Sequence, residues 1–328
     1  MSPKSRRFVI LGTEIMPGEK VELNFSLAKL HSRTSVSVPI LVNRSKKPGP
    51  TVLFTAGIHG DEVSGVAIIR ELIASKVNQP LIGTVICIPV INIFGFLNKE
   101  RNFPDGRDLN RAFPGSTKGS LASRVAFELV NGFLPLVDYV IDFHTGGADR
   151  FNAAQIRINP NRVELKPLAK LFGAPFVVYS KLLAKSFRSS CQKQGIPMLL
   201  FEGGKSNHLD PEIIEYGVTG AKRILAHLKM LPIKLTPPPL KEDSIILEKS
   251  HWIRAKHSGM FQSLVKVGHF VTEGDIIGQI TDPFGKFNRK IKSPNSGYIF
   301  NVNEAPLVYN GDALFHISTQ YSHEKGTT

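Results

Sequence analysis

Between Pro50 and about Leu231, strand-length runs that are almost continuously apolar alternate with amphipathic, helix-length segments. No other feature of the chain restricts its fold as much. The runs are "TVLFTAG", "GTVICIPVI", "VDYVIDFH", "PFVVYS" and "IPMLLFEGG", and the segments include "SGVAIIRELIAS", "SLASRVAFELVNGFL", "RVELKPLAKLFG" and "PEIIEYGVTGAKRILAHLKML". A strand with one wet face alternates apolar and polar residues; a strand apolar along its length is covered on both faces. The pattern predicts an α/β fold, a mixed but largely parallel sheet flanked by helices. In such sheets ligands bind beyond the carboxyl ends of the strands.

The flanks read differently. Short alternating stretches such as "TSVSVPILVN" predict a β-rich N-terminal entry into the main sheet, so residues 1–231 form one domain. "PIKLTPPPLKEDS" (232–244) reads as a proline-rich linker. Beyond it helical periodicity disappears, and glycines at 259, 268, 274, 278, 285, 297 and 311 punctuate short β-like runs. Residues 245–320 are therefore expected to form a small all-β domain, with 321–328 as a tail.

Composition narrows the function classes. With 42% hydrophobic and 21% charged residues among 328, the chain reads as a soluble globular protein. "MSPKSRRFVILG" has basic residues without an apolar signal core, and the longest apolar run is broken by Pro89, Asn92 and Gly95, so no membrane partner is expected. Cys87 and Cys191 are the only cysteines, too few for a disulfide framework or a thiolate metal site, and a cytoplasmic location is expected. The net charge of +14 is spread along the chain, with no aromatic-basic RNA motif and no zinc-finger spacing. Nucleic acid is not expected as a partner. A field that draws in small anions is.

The residues that follow the apolar runs carry the chemistry. The first run delivers His59 and Glu62 in "GIHGDEVSG", "VDYVIDFHTGG" delivers His144, and "IPMLLFEGG" delivers Glu202. Each alone is compatible with a hydrogen-bonded core or loop residue, and the helical HExxH signature is absent. Together, ionisable residues at three strand ends are hard to explain structurally, since a buried glutamate without a partner loses its charge or destabilises the fold. Two imidazoles and a carboxylate form a catalytic zinc set that leaves a fourth position for water. A further carboxylate nearby serves as the base.

The loop "ERNFPDGRDLNRAFPG" (100–115) adds three arginines, three acids and two asparagines. Its "GRDLNRAFPG", with "GIHGDEVSG", "DFHTGG" and "FEGG" in the same order, closely resembles the succinylglutamate desuccinylase and aspartoacylase family, relatives of the zinc carboxypeptidases. The resemblance spans roughly Thr51 to Leu231. It implies one zinc ion per chain held by His59, Glu62 and His144, with Glu202 taking a proton from the attacking water and passing it to the leaving amine. It further implies that Asp108 orients a ligand histidine and that Asn110 and Arg111 clamp a substrate carboxylate. The arginine that polarises the scissile carbonyl is expected upstream in the same loop, either Arg101 or Arg107, with Arg101 preferred.

These residues imply a zinc-dependent amidohydrolase that cleaves the amide bond of a small anionic N-acyl amino acid. A carboxypeptidase that removes a C-terminal residue from a peptide would use the same site in a wider cleft. A non-catalytic small-molecule binding module would be a retired version of it. The C-terminal stretch resembles the barrel-sandwich domain of biotinyl and lipoyl carriers. Lys286, eight residues before Pro294, stands close to a carrier lysine's spacing, but "FGKFN" is not a carrier flank, so it reads as a hairpin residue. The domain is expected to act as a lid, a rim or a homo-oligomer contact.

Overall fold

The computed structural model describes residues 7–29 and 32–323. Four strands stand side by side and parallel at its centre, in the order Thr84–Ile88, Thr51–Ala56, Tyr139–Gly146 and Met198–Lys205. Their side chains alternate between two cores: Val52, Phe54 and Ala56 enter one apolar cluster and Leu53 enters the other. One face is covered by the helices Val63–Ala74 and Pro211–His227, which bury Ile68, Leu72, Ile224 and Leu225. The other is covered by Leu121–Gly132, which buries Val125 and Leu129. Coverage on both faces is why the strand sequences are apolar throughout.

The parallel order stops at the flanks. Ser35–Arg44 runs antiparallel to Thr84–Ile88 and to Lys20–Lys29. On the other side Arg150–Ile158 runs antiparallel to Met198–Lys205. The sheet is thus parallel at its centre with an antiparallel join on each side, and parallel again where Phe176–Tyr179 pairs with Arg150–Ile158, so it is more mixed than the apolar runs suggest. The physical reason is connection length. Arg150–Ile158 follows Tyr139–Gly146 after only residues 147–149, and a parallel return needs a crossover of about a dozen residues or more.

After the proline-rich segment, Ile245–Arg254 adds to the same sheet, parallel to Phe176–Tyr179 with Ile246 opposite Val177. Gly297–Asn303 pairs with Arg150–Ile158 and places Asn301 opposite Asn152. Among the described residues these joins give a twelve-stranded sheet and a separate four-stranded one, the latter packed on Phe261, Ile277, Ile280 and Phe315. Phe300 and Leu247 share a small core with Ala153, Phe176 and Val178. No helix among the described residues is long and apolar enough to cross a membrane.

Candidate active site

The strand Thr51–Ala56 ends at Gly57, whose positive φ of 61° turns the chain out of the sheet. Gly60 then passes so close to the backbone of Gly95 that a Cβ there would lie 2.0 Å from the Gly95 carbonyl carbon. Only glycine fits, and the close approach fixes the loop that carries His59. Glu62 follows as the N-cap of Val63–Ala74. His144 comes from Tyr139–Gly146, the neighbouring parallel strand.

The three side chains meet in the interior, with His59 3%, Glu62 2% and His144 4% exposed. The Nδ1 of His59 lies 2.7 Å from Glu62 Oε1, and the Nδ1 of His144 lies 2.8 Å from Glu62 Oε2. One candidate donor atom from each residue falls within 4.8 Å of the others, the spacing of ligands around a single ion. Each outer nitrogen is already engaged: His59 Nε2 faces Asp108 Oδ1 at 3.2 Å and His144 Nε2 faces Asp142 Oδ2 at 2.7 Å. Asp142 is fixed in turn by the Thr55 hydroxyl, which donates to its Oδ1 at 2.7 Å. A carboxylate behind a histidine sets the tautomer that leaves the inner nitrogen free for a metal.

The electrostatics follow from burial and from this crowd of acids. Burial works against charge on both histidines, yet Asp142 and Glu62 hold the His144 pKa well above its ordinary value, and Glu62 and Asp108 raise that of His59. Burial likewise opposes charge on Glu62, but the two histidines hold its carboxyl well below the usual range. Asp108 is held low by His59 and Arg101 despite its burial. Three carboxylates thus surround two imidazoles, with Arg101 the nearby counter-charge: its Nη1 reaches Glu62 at 3.3 Å and its Nη2 reaches Asp108 at 3.0 Å. Such a cluster suits a divalent cation, and its donors are nitrogen and oxygen with no thiolate, a set that fits zinc.

Glu202 stands directly opposite His144 in the parallel register of Met198–Lys205 and Tyr139–Gly146. Its Oε2 accepts from Asn152 Nδ2 at 2.7 Å, and its Oε1 pairs with Arg157 Nη1 at 3.2 Å. In front of these groups opens a cavity of about 390 Å³. Five arginines border it among the described residues (101, 111, 150, 157 and 188), together with Lys181, against only two carboxylates, Glu62 and Glu202. Burial and the proximity of Arg157 push the Arg188 pKa down to about 10, with Glu202 opposing the shift.

The loop 100–115 sends its residues to different places. Arg101 reaches the cavity. Arg107 does not: it is 67% exposed, with its Nε 3.8 Å from Asp105, and it borders a separate groove. The turn between them explains the split, since Gly106 N donates to Phe103 O and Phe103 N to Arg107 O, folding Arg107 back along the surface. Asn110 lines the cavity while its Oδ1 accepts from Phe187 N at 2.9 Å. Arg111 sits exposed at the rim, its Nη1 donating to Asn110 O at 2.7 Å.

Several neighbours escaped the sequence reading. Asp142 carried a usable signal, because residues two apart on a strand share a face and "DFH" puts it beside His144. Arg188 lies on the short helix Phe187–Lys193, and Asn152 and Arg157 lie on the antiparallel strand. Trp252 and Asn301 come from beyond the proline-rich segment. Nothing local in those stretches points to the cavity.

Comparison with known proteins bears on the family and the fold. Residues 48–228 match the family model of the succinylglutamate desuccinylase/aspartoacylase catalytic domain. The chain is 29% identical over 260 residues to an N-alpha-acetyl-L-2,4-diaminobutyric acid deacetylase from Halomonas elongata, covering 76% of this chain and 75% of that protein. The crystal structure of a succinylglutamate desuccinylase/aspartoacylase from Rhodobacter sphaeroides is similar with a TM-score of 0.78 at 25% identity, over 92% of this chain and 95% of that one. The product-bound ectoine utilization protein EutE (DoeB) from Ruegeria pomeroyi has the same fold, with a TM-score of 0.81 at 22% identity over 93% and 97% of the two chains. A buried donor cluster on the strands of this fold and a family match over more than half its length lead to one conclusion: the chain belongs to the succinylglutamate desuccinylase/aspartoacylase family.

Proposed function

We propose that the protein is a zinc-dependent deacylase that hydrolyses the amide bond of a small, anionic N-acyl amino acid. The observation that carries the reading is the placement of Glu202, opposite His144 in register and facing the cavity beside the His59, Glu62 and His144 donors. Family membership and the deacetylase relative support amide hydrolysis. A zinc ion bound by the three donors supplies Lewis acidity and lowers the pKa of water at the site.

The rest of the chemistry belongs to the chain. Glu202 accepts a proton from the attacking water on a carboxylate oxygen and returns it to the departing nitrogen. Arg101, already aimed at the donor cluster, donates to the carbonyl oxygen as negative charge develops there. Asn110 and Arg111 hold the amino acid's carboxylate at the cavity mouth, and the cationic lining concentrates anions in front of them. Asp108 and Asp142 keep the two imidazoles oriented.

The carboxypeptidase reading is less well supported. A cavity of about 390 Å³ is the size of a small-molecule site rather than an extended peptide groove. The test is amine release from N-acetyl and N-succinyl amino acids and from short peptides by the zinc-loaded protein. Turnover of the N-acyl amino acids alone is expected. Turnover of peptides alone would favour the carboxypeptidase, and none at all would favour a binding module.

A further inference from the structure

Glu202 is held by a chain of two amides that begins in the C-terminal β region. Asn152 Nδ2 donates to Glu202 Oε2 at 2.7 Å, and Asn301 Nδ2 donates to Asn152 Oδ1 at 2.6 Å. Both asparagines are buried, 2% and 4% exposed, on strands that place them opposite one another. Chemistry fixes the direction of the chain. An ionised carboxylate only accepts hydrogen bonds, so Asn152 must turn its Nδ2 to Glu202. Its Oδ1 then faces Asn301, which has to answer with its own Nδ2. The Oδ1 of Asn301 is left buried without a partner. An unmet buried acceptor is destabilising, so this orientation is imposed from the Glu202 end rather than chosen for the stability of Asn301.

The backbone is shaped to the same end. Residues 152 and 157 would point to opposite faces of a regular strand, yet both reach Glu202. Between them the pairing slips: Glu202 stands opposite Gln155 but Gly204 stands opposite Asn152, so Arg150–Ile158 carries one extra residue. This bulge turns the Asn152 side chain onto the face that Arg157 already occupies.

We propose that Asn301 is a positioning residue for Glu202, acting through Asn152, and that the C-terminal β region is thereby a working part of the active site. The proposal rests on the reading of Glu202 as the base. Its most discriminating variant is Asn301→Asp, nearly unchanged in shape and, once ionised, able only to accept. Asn152 must then turn its Nδ2 towards the new carboxylate and present its Oδ1 to Glu202, reversing the chain. Zinc-loaded wild type, Asn301→Asp, Asn301→Ala, Asn152→Ala, the double alanine variant and Glu202→Gln are compared by kcat, KM and the pH profile of kcat.

In Asn301→Asp, kcat is expected to fall by about 10-fold or more, the size of one lost hydrogen bond to a charged group, and by more than in Asn301→Ala. KM changes less. The acidic limb of the kcat profile moves to higher pH, because the ionised base loses a donor. The double alanine variant is no slower than Asn152→Ala alone, since the two residues act in series. Wild-type kcat and an unmoved acidic limb in both Asn301 variants, or losses that simply add, would overturn the proposal. If Asn301→Asp does not fold, the alanine cycle decides. Full activity in Glu202→Gln removes the base and the relay together, whereas an inactive Glu202→Gln beside unaffected Asn301 variants removes the relay alone.

Discussion

His144 and Asp142 sit two residues apart on one strand, and the Nε2 of the first meets the Oδ2 of the second at 2.7 Å. With the Thr55 hydroxyl on its other oxygen, Asp142 cannot turn away. His59 has the matching arrangement with Asp108. Asp142→Asn and Asp108→Asn should each weaken zinc binding by about 10- to 100-fold, because the imidazoles lose the partner that sets their tautomer. Chelator competition measures this. Unchanged affinity in both variants would mean that the carboxylates do not serve the metal.

The donors themselves have a starker expectation. Elemental analysis should find about one zinc per chain in the wild type and essentially none in a His59→Ala, His144→Ala double variant, since a single carboxylate does not hold the ion. Metal retained at wild-type occupancy would place the site elsewhere.

Glu202 separates binding from chemistry. It does not belong to the close donor set of His59, Glu62 and His144. Glu202→Gln should therefore keep the zinc while kcat falls by about 10²-fold or more. Loss of zinc together with activity would make Glu202 a ligand and redistribute the roles.

The two loop arginines should part company. Arg101 bonds to Glu62 and Asp108 at the cavity, whereas Arg107 projects to the surface. Arg101→Ala is expected to lower kcat/KM by about 10- to 150-fold, the loss of a charge-assisted hydrogen bond in the transition state. Arg107→Ala should stay within about 2-fold of wild type, as surface substitutions do. The reverse ranking would show that the loop rearranges around substrate.

A pH effect on stability follows from His316. Burial, then the nearby Arg157 and His251, lower its pKa from 6.5 to about 3. It stacks on Trp252 with centroids 4.3 Å apart, and its Nε2 lies 2.9 Å from Ser250 Oγ. Above pH 6.5 the ring is neutral folded or unfolded and adds no pH dependence. Between 6.5 and about 3 the unfolded chain binds a proton that the folded one does not, so stability falls as the pH falls, by up to about 1.4 kcal/mol per unit. Denaturant unfolding of wild type and His316→Phe at pH 7 and pH 5 should show a smaller loss in the variant. Equal losses would mean that His316 is protonated in the folded state.

The sequence disclosed what is local and concealed what is assembled. His59, Glu62, His144 and Glu202 were legible because each follows an apolar strand and because a covered sheet offers its strand ends as the site. Asp142 was legible in principle from its two-residue spacing. Arg157 and Asn152 were not, because they reach Glu202 through an antiparallel pairing and a bulge that no hydrophobic pattern encodes. Asn301 and Trp252 lie 99 and 50 residues beyond Glu202, one as a strand partner of Asn152 and the other as a cavity wall, and only tertiary pairing brings them in. The choice between Arg101 and Arg107 hinged on the turn at residues 103–106, where both arginines share the same composition and charge context.

The sheet that passes from the central strands into the C-terminal region has a mechanical consequence. Two bodies joined by a proline-rich tether could swing apart like jaws to admit a substrate. Here Ile245–Arg254 is bonded to Phe176–Tyr179 and Gly297–Asn303 to Arg150–Ile158, so such a swing would have to unzip two backbone ladders and expose Phe176 and Phe300. Traffic in and out of the cavity is left to what lies outside those ladders: the exposed arm of Arg111 and the side chains of Lys181 and Leu183 at its edge. Any gate on this cavity would be one of side chains, set in a frame that two ladders hold together.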